Sequence, residues 1–152
     1  MKRAIWMAAA LGIAAVGLAG CGEQPEPAET APEGPAGISV VDARLMLPAV
    51  KGNPGAVYFE VKHAGTANLM IRAVSVAGAG SATMHSPDML ALDQVGVAPG
   101  GSAKFAPGEQ HVMAMDLDDT VTAGSQVEVT LTFVGGDKYS FPAEVRAAGD
   151  ER

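Results

Sequence analysis

What most constrains this chain is how glycine and proline punctuate it. After residue 37, no window of eleven or more residues that is free of both has helical periodicity, whereas short apolar runs recur between them. Gln126–Val134 is the clearest run: Val127, Val129, Leu131 and Phe133 alternate with Gln126, Glu128, Thr130 and Thr132, the period-two pattern of a half-buried strand. Gly135-Gly136-Asp137 then turns the chain into a partner strand over 138–145. Further strands are expected over 38–44, 56–63, 69–76, 90–97 and 102–105, and from His111 onward. The segment 45–55 reads as a loop, and Gly78-Ala79-Gly80 as a break. Many short strands between such turns predict an all-β chain, a β-sandwich or small barrel.

The segment before residue 38 has a different character. Lys2 and Arg3 precede the apolar run 5–19, which ends in Leu18-Ala19-Gly20 directly before Cys21, the one cysteine. This is the layout of a secretory signal peptide over residues 1–20. Its end resembles the processing box of bacterial lipoproteins, which makes Cys21 the expected lipidation site. Gly22 follows, where an aspartate would resemble an inner-membrane retention signal. A periplasmic protein anchored to a membrane by lipid is expected, with the outer membrane preferred. Residues 22–37 are dominated by Pro and Glu and contain no aromatic or β-branched apolar residue, so 21–37 reads as a disordered tether. The sandwich domain is then 38–147, with a polar tail over 148–152. Loss of Lys2 and Arg3 with the signal peptide takes the net charge from −7 to −9. Such a surface argues against nucleic acid as a partner and favours cations and basic proteins.

With Cys21 lipidated, the domain has no thiol, so neither a disulfide nor a blue-copper centre can be built in it. Other soft donors cluster instead. His111-Val112-Met113-Ala114-Met115, read as a strand, projects one imidazole and two thioethers from a single face. Upstream, Met84-His85-Ser86-Pro87-Asp88-Met89 places a second imidazole among two methionines in a turn-like setting. Thioether sulfur is soft and imidazole suits copper generally, so the paired clusters point to Cu(I). His63, at a strand end with no partner in sequence, reads as an ordinary surface histidine, and Met46 and Met70 as core or loop residues. The acidic run Asp116, Asp118, Asp119 lacks the glycine and later glutamate of a calcium loop. No phosphate-binding glycine loop, nucleophile elbow or paired-carboxylate pattern occurs, so no enzymatic activity is expected.

Met89 is followed by twenty-one residues and then His111-Val112-Met113, and the spacer carries Pro99-Gly100-Gly101 and Pro107-Gly108. In this the chain resembles the periplasmic copper chaperones of the PCuAC type, as it does in Gly124–Phe133 followed by Gly135-Gly136 and, weakly, in Asn53–Phe59. The resemblance spans 38–145. It implies a cupredoxin-like Greek-key β-sandwich and a Cu(I) site formed by His85, Met89, His111 and Met113, and it admits Cu(II) as well. The implied role is to carry copper between a donor and an acceptor protein, with cytochrome c oxidase or its assembly factors as the acceptor.

The chain departs from the family pattern in two places. Ten residues usually separate the family's first histidine from its methionine, whereas only Ser86, Pro87 and Asp88 separate His85 from Met89. Met84 or Met115 is the auxiliary ligand to consider if the site has been rebuilt around this shorter loop. The family's tryptophan near the start of the domain is also missing, with Ala43-Arg44 in its neighbourhood. The alternative reading is a secreted β-sandwich interaction module that has lost or weakened metal binding. A redox enzyme is a weaker option, given the absence of a domain cysteine.

Overall fold

A computed structural model describes residues 34–150. The signal peptide, Cys21 and most of the tether lie outside the described residues. Nine strands and no helix occur among those that are described. In chain order they are β1 (Ile38–Met46), β2 (Gly55–His63), β3 (Leu69–Val76), β4 (Ala79–His85), β5 (Val95–Val97), β6 (Ser102–Phe105), β7 (His111–Leu117), β8 (Gln126–Phe133) and β9 (Lys138–Arg146). They form one curled sheet in the order β4-β7-β2-β1-β9-β8-β3-β5. All the pairings are antiparallel except β1 with β9, which run parallel.

The curl buries one face of every strand against the others. Val127, Val129, Leu131 and Phe133 are buried as their alternation requires, and they meet Leu45, Val57, Phe59, Val61, Ile71, Phe105 and Val112 in a single core. Phe59 and Phe105 stack with their ring centroids 4.4 Å apart, and Phe141 tilts against Phe59 at 5.2 Å.

The edge of β2 is shared. β6 pairs with Phe59–Lys62, and β7 pairs with Gly55–Val57 farther along the same edge. The excursion between them is the five-residue turn Ala106–Gln110, closed by Ala106 N–H donating to the Gln110 carbonyl at 2.9 Å and Glu109 N–H to the Ala106 carbonyl at 3.0 Å. Gly108 supplies the positive φ of 77° that this turn needs. The turn decides which residue begins β7, and that residue is His111.

The structure differs from the sequence expectations in several elements. β1 runs on to Met46 into the segment expected to be loop. The strand expected over 90–97 contracts to Val95–Val97, and Leu90 is 68% exposed. β4 occupies Ala79–His85, where the glycines read as a break. In β3 a bulge between Ile71 and Ala73 turns Ala73 to solvent and Val74 and Val76 inward. His63 is not a surface histidine but 4% exposed, with its Nε2–H donating to the Ala67 carbonyl at 2.8 Å and its Nδ1 buried without a hydrogen-bond partner. Its ring lies directly over Gly65, where a side chain would collide with it. The last tether residues are docked: Gly34 packs on Tyr139, and the Gly37 carbonyl accepts from Ala64 N–H at 2.8 Å.

The Phe59–Phe105 stack joins the two strands that set the start of β7. Phe59→Ala is expected to cost about 3–5 kcal/mol in urea unfolding, the usual range for emptying a buried aromatic position.

Candidate metal centre

β4 contains no aromatic residue, and its one β-branched residue is Thr83, so its extended form comes from pairing rather than propensity. Its partner is β7, in the register His85↔His111, Met84↔Val112, Thr83↔Met113, Ala82↔Ala114 and Ser81↔Met115. Residues directly opposite on antiparallel strands share a face. Met84, Val112 and Ala114 are buried in the core, so His85, His111, Met113 and Met115 occupy the outward face, all half-buried.

The two imidazoles lie side by side, with centroids 6.0 Å apart and planes 21° from parallel. Each is tied in the same way. His85 Nδ1 is 3.2 Å from the Thr83 carbonyl, and His111 Nδ1 is 3.0 Å from the Glu109 carbonyl. A carbonyl can only accept, so each Nδ1 carries a proton, which leaves Nε2 as the ring nitrogen that faces away from the backbone contact. This outer hydrogen bond to a backbone oxygen is the arrangement that orients a metal-binding histidine.

The shortened loop is a built turn. His85 bridges Ala91, Ser86 N–H donates to the Leu90 carbonyl at 2.8 Å, and Met89 N–H donates to the Ser86 carbonyl at 3.0 Å. The Ser86 hydroxyl accepts from Leu90 N–H at 3.2 Å. Pro87 takes the position that suits its fixed φ, and Met89 closes the turn in the left-handed region at φ 63°. Among the described residues only Asp42 and Asp116 share that conformation without being glycine. Aspartate visits it readily, whereas methionine does so at a cost of about 1–2 kcal/mol. Met89 is also 55% exposed. Met89 thus presents an exposed thioether from a backbone conformation that would suit glycine.

Three of the expected site residues, His85, His111 and Met113, thus share the outward face of the β4–β7 pair, and Met115 continues that face, while Met89 stands exposed on the turn that follows β4. Met84 does not join them. It is 3% exposed and belongs to the core, because adjacent strand residues point to opposite faces. No group of three or more His, Cys, Asp or Glu that could hold a metal occurs among the described residues. The outward face of β4 and β7 offers two imidazoles and thioethers, donors that suit a soft ion such as Cu(I) better than Ca²⁺ or Mg²⁺. A surface cavity of about 820 Å³ lies near the β1 bulge, lined by Asp42, Arg44, Glu60, Lys104 and Glu144 among others, and it offers neither sulfur nor imidazole.

Comparisons with known proteins agree with this architecture. The sequence model of the LpqE-like lipoprotein family matches residues 38–145. No curated protein matches the chain. Among solved structures, a copper-bound PCuAC domain from PmoF2 superposes with a TM-score of 0.65 at 22% identity, covering 73% of this chain and 93% of that one. An apo PCuAC domain from PmoF1 gives 0.65 at 24% identity, covering 73% and 94%. The Cu(I) form of DR1885 from Deinococcus radiodurans gives 0.62 at 16% identity, covering 82% and 85%. The all-β, cupredoxin-like sandwich of the PCuAC domain is the fold of this chain.

The Met89 backbone provides a test that needs no metal. Met89→Gly is expected to hold unfolding stability within about 1 kcal/mol of the parent, since relief of the left-handed strain offsets the added chain entropy. Met89→Val, branched at Cβ, is expected to lower it by about 1 kcal/mol or more. Thermal unfolding of both variants is the measurement.

Proposed function

The chain belongs to the LpqE-like lipoprotein family, and we propose that it is a Cu(I) chaperone, binding the ion through His85 and His111 nitrogen and Met89 and Met113 sulfur. The carrying observation is the His85↔His111 register pair, with both Nδ1 atoms tied to backbone carbonyls, on a face that also bears thioethers. The copper named with two of the similar structures, the PmoF2 domain and DR1885, supports the same reading.

The chemistry suits carriage rather than catalysis. Thioethers are neutral and soft, so they hold Cu(I) without a charge that would have to be neutralised on release. In an oxidising compartment free thiols are drawn into disulfides, which makes methionine the safer donor. Met89, exposed on its turn, is the ligand that an acceptor can displace first, with the buried side of β7 holding His111 and Met113 in place.

The rest of the proposal concerns where this happens. The signal peptide of residues 1–20 directs export, Cys21 is lipidated, and residues 21–37 tether the domain to the periplasmic side of a membrane, the outer one by preference. The acceptor is a copper centre such as that of cytochrome c oxidase, reached directly or through an assembly factor. The protein's acidic balance, −7 overall, favours a basic docking partner.

Titration of the mature domain with Cu(I) against a competing chelator tests the site. His111→Ala and Met113→Ala are each expected to weaken binding by at least the roughly 10–100-fold that loss of an outer-shell partner alone costs. If neither substitution moves the affinity, the site is wrong. If the parent itself fails to compete, the shortened loop has left a sandwich without a metal function, and the interaction-module reading takes its place.

A further inference from the structure

The placement of the methionines extends beyond the ligands already named. Six occur among the described residues, and only Met84 joins the core, which is otherwise built of Val, Leu, Ile, Phe and Ala. Met46 is 8% exposed yet is not part of that core cluster. The register explains why. Leu45 lies opposite Val57 on the buried face, so Met46 lies opposite Ala56 on the outward one. Ala56 in turn lies opposite Met113, and Met113 opposite Thr83. A single row thus crosses four strands as Met46, Ala56, Met113 and Thr83, one row along from His111 and His85.

Only a methyl group stands between Met46 and Met113 in that row. At strand spacings of about 4.8 Å, their Cα atoms are about 10 Å apart, a span that two extended methionine side chains can close over an alanine. Met115 follows Met113 on the same face, about 7 Å along β7. Outward strand positions of a sandwich are ordinarily polar, and β8 obeys this with Gln126, Glu128, Thr130 and Thr132. The outward positions from His111 to Met115 carry one histidine and two methionines instead.

We infer that Met46, Met113 and Met115 form a second, sulfur-only position for a soft monovalent ion, sharing Met113 with the His/Met site. The inference rests on the reading of this face as a Cu(I) site. An ion moves between the two positions by breaking its bonds to the Nε2 atoms of His85 and His111 and forming bonds to the thioethers of Met46 and Met115. The oxidation state of the ion does not change, because one set of neutral donors replaces another. Met113 stays bound throughout, so the ion need not leave the face while a partner docks over the exposed Met89 end.

Methyl-labelled methionine NMR of the domain, titrated with Ag(I) as a redox-inert probe of Cu(I) chemistry, tests this. The expected result is that the Met46 and Met115 methyl resonances move with those of Met89 and Met113, while Met70 and Met84 stay in place. In His85→Asn/His111→Asn the ion is expected to reside wholly at the sulfur position, and adding Met46→Leu, close in volume but without sulfur, is expected to weaken binding at least tenfold. The inference is overturned if Met46 and Met115 move no more than Met70 and Met84 in the parent protein, an arm that does not depend on how the variants fold. Failure of the His/Met site reads differently: Met89 and the imidazole nitrogens then stay unmoved, whatever Met46 and Met115 do.

Discussion

The pairing of β4 with β7 is the interaction on which the site depends. It sets His85 opposite His111 and Met84 opposite Val112, and burial of the second pair fixes the outward direction of the first. The side-chain period of a strand is two, so a slip of one residue would send His111 and Met113 into the core and Val112 to solvent. Val112 and Ala114 are fully buried, and the energetic cost of exposing them guards the register. The His/Met face is therefore specified by the hydrophobic residues behind it. The Ala106–Gln110 turn supplies the other constraint, since it moves the chain from the β6 register to the β7 register along one edge of β2.

The parts of this arrangement that could be read from the residues are those whose signal is local. The alternation in Gln126–Phe133 identifies a strand and its buried face, and His-x-Met-x-Met identifies three donors on one side. β4 could not be read in this way. Ala79-Gly80-Ser81-Ala82-Thr83 has little strand propensity, and its conformation is dictated by a partner some thirty residues later in the chain. The same gap hid the role of Met84, because its face follows from a strand that was not foreseen. The burial of His63 is not legible in the sequence, because it comes from the turn that folds Gly65 against the ring, which no spacing rule conveys. Met46 was unremarkable in sequence, and becomes significant only through two successive registers, β1 with β2 and β2 with β7.

The shortened segment between His85 and Met89 turns out to be an ordered device. Where the related pattern has a longer excursion, this chain has a hairpin turn with Pro87 at its entry and Met89 bent into a left-handed conformation at its exit. The strain at Met89 is small against the stability of a domain, yet large enough that an unconstrained choice would place glycine there. A methionine nonetheless occupies this turn, and its side chain is exposed four residues after His85. In the proposed site, Met89 is the exposed donor suited to capture and release, whereas the donors on β7 suit retention.

X-ray absorption at the copper edge, on the domain loaded with one equivalent of Cu(I), tests the central claim most directly. The predicted spectrum contains both nitrogen and sulfur neighbours in the first shell, with the imidazole signature lost in His85→Asn/His111→Asn and the sulfur contribution reduced in Met113→Leu. A first shell of nitrogen and oxygen alone, unchanged by Met113→Leu, would contradict a site built from the paired histidines and the thioethers beside them.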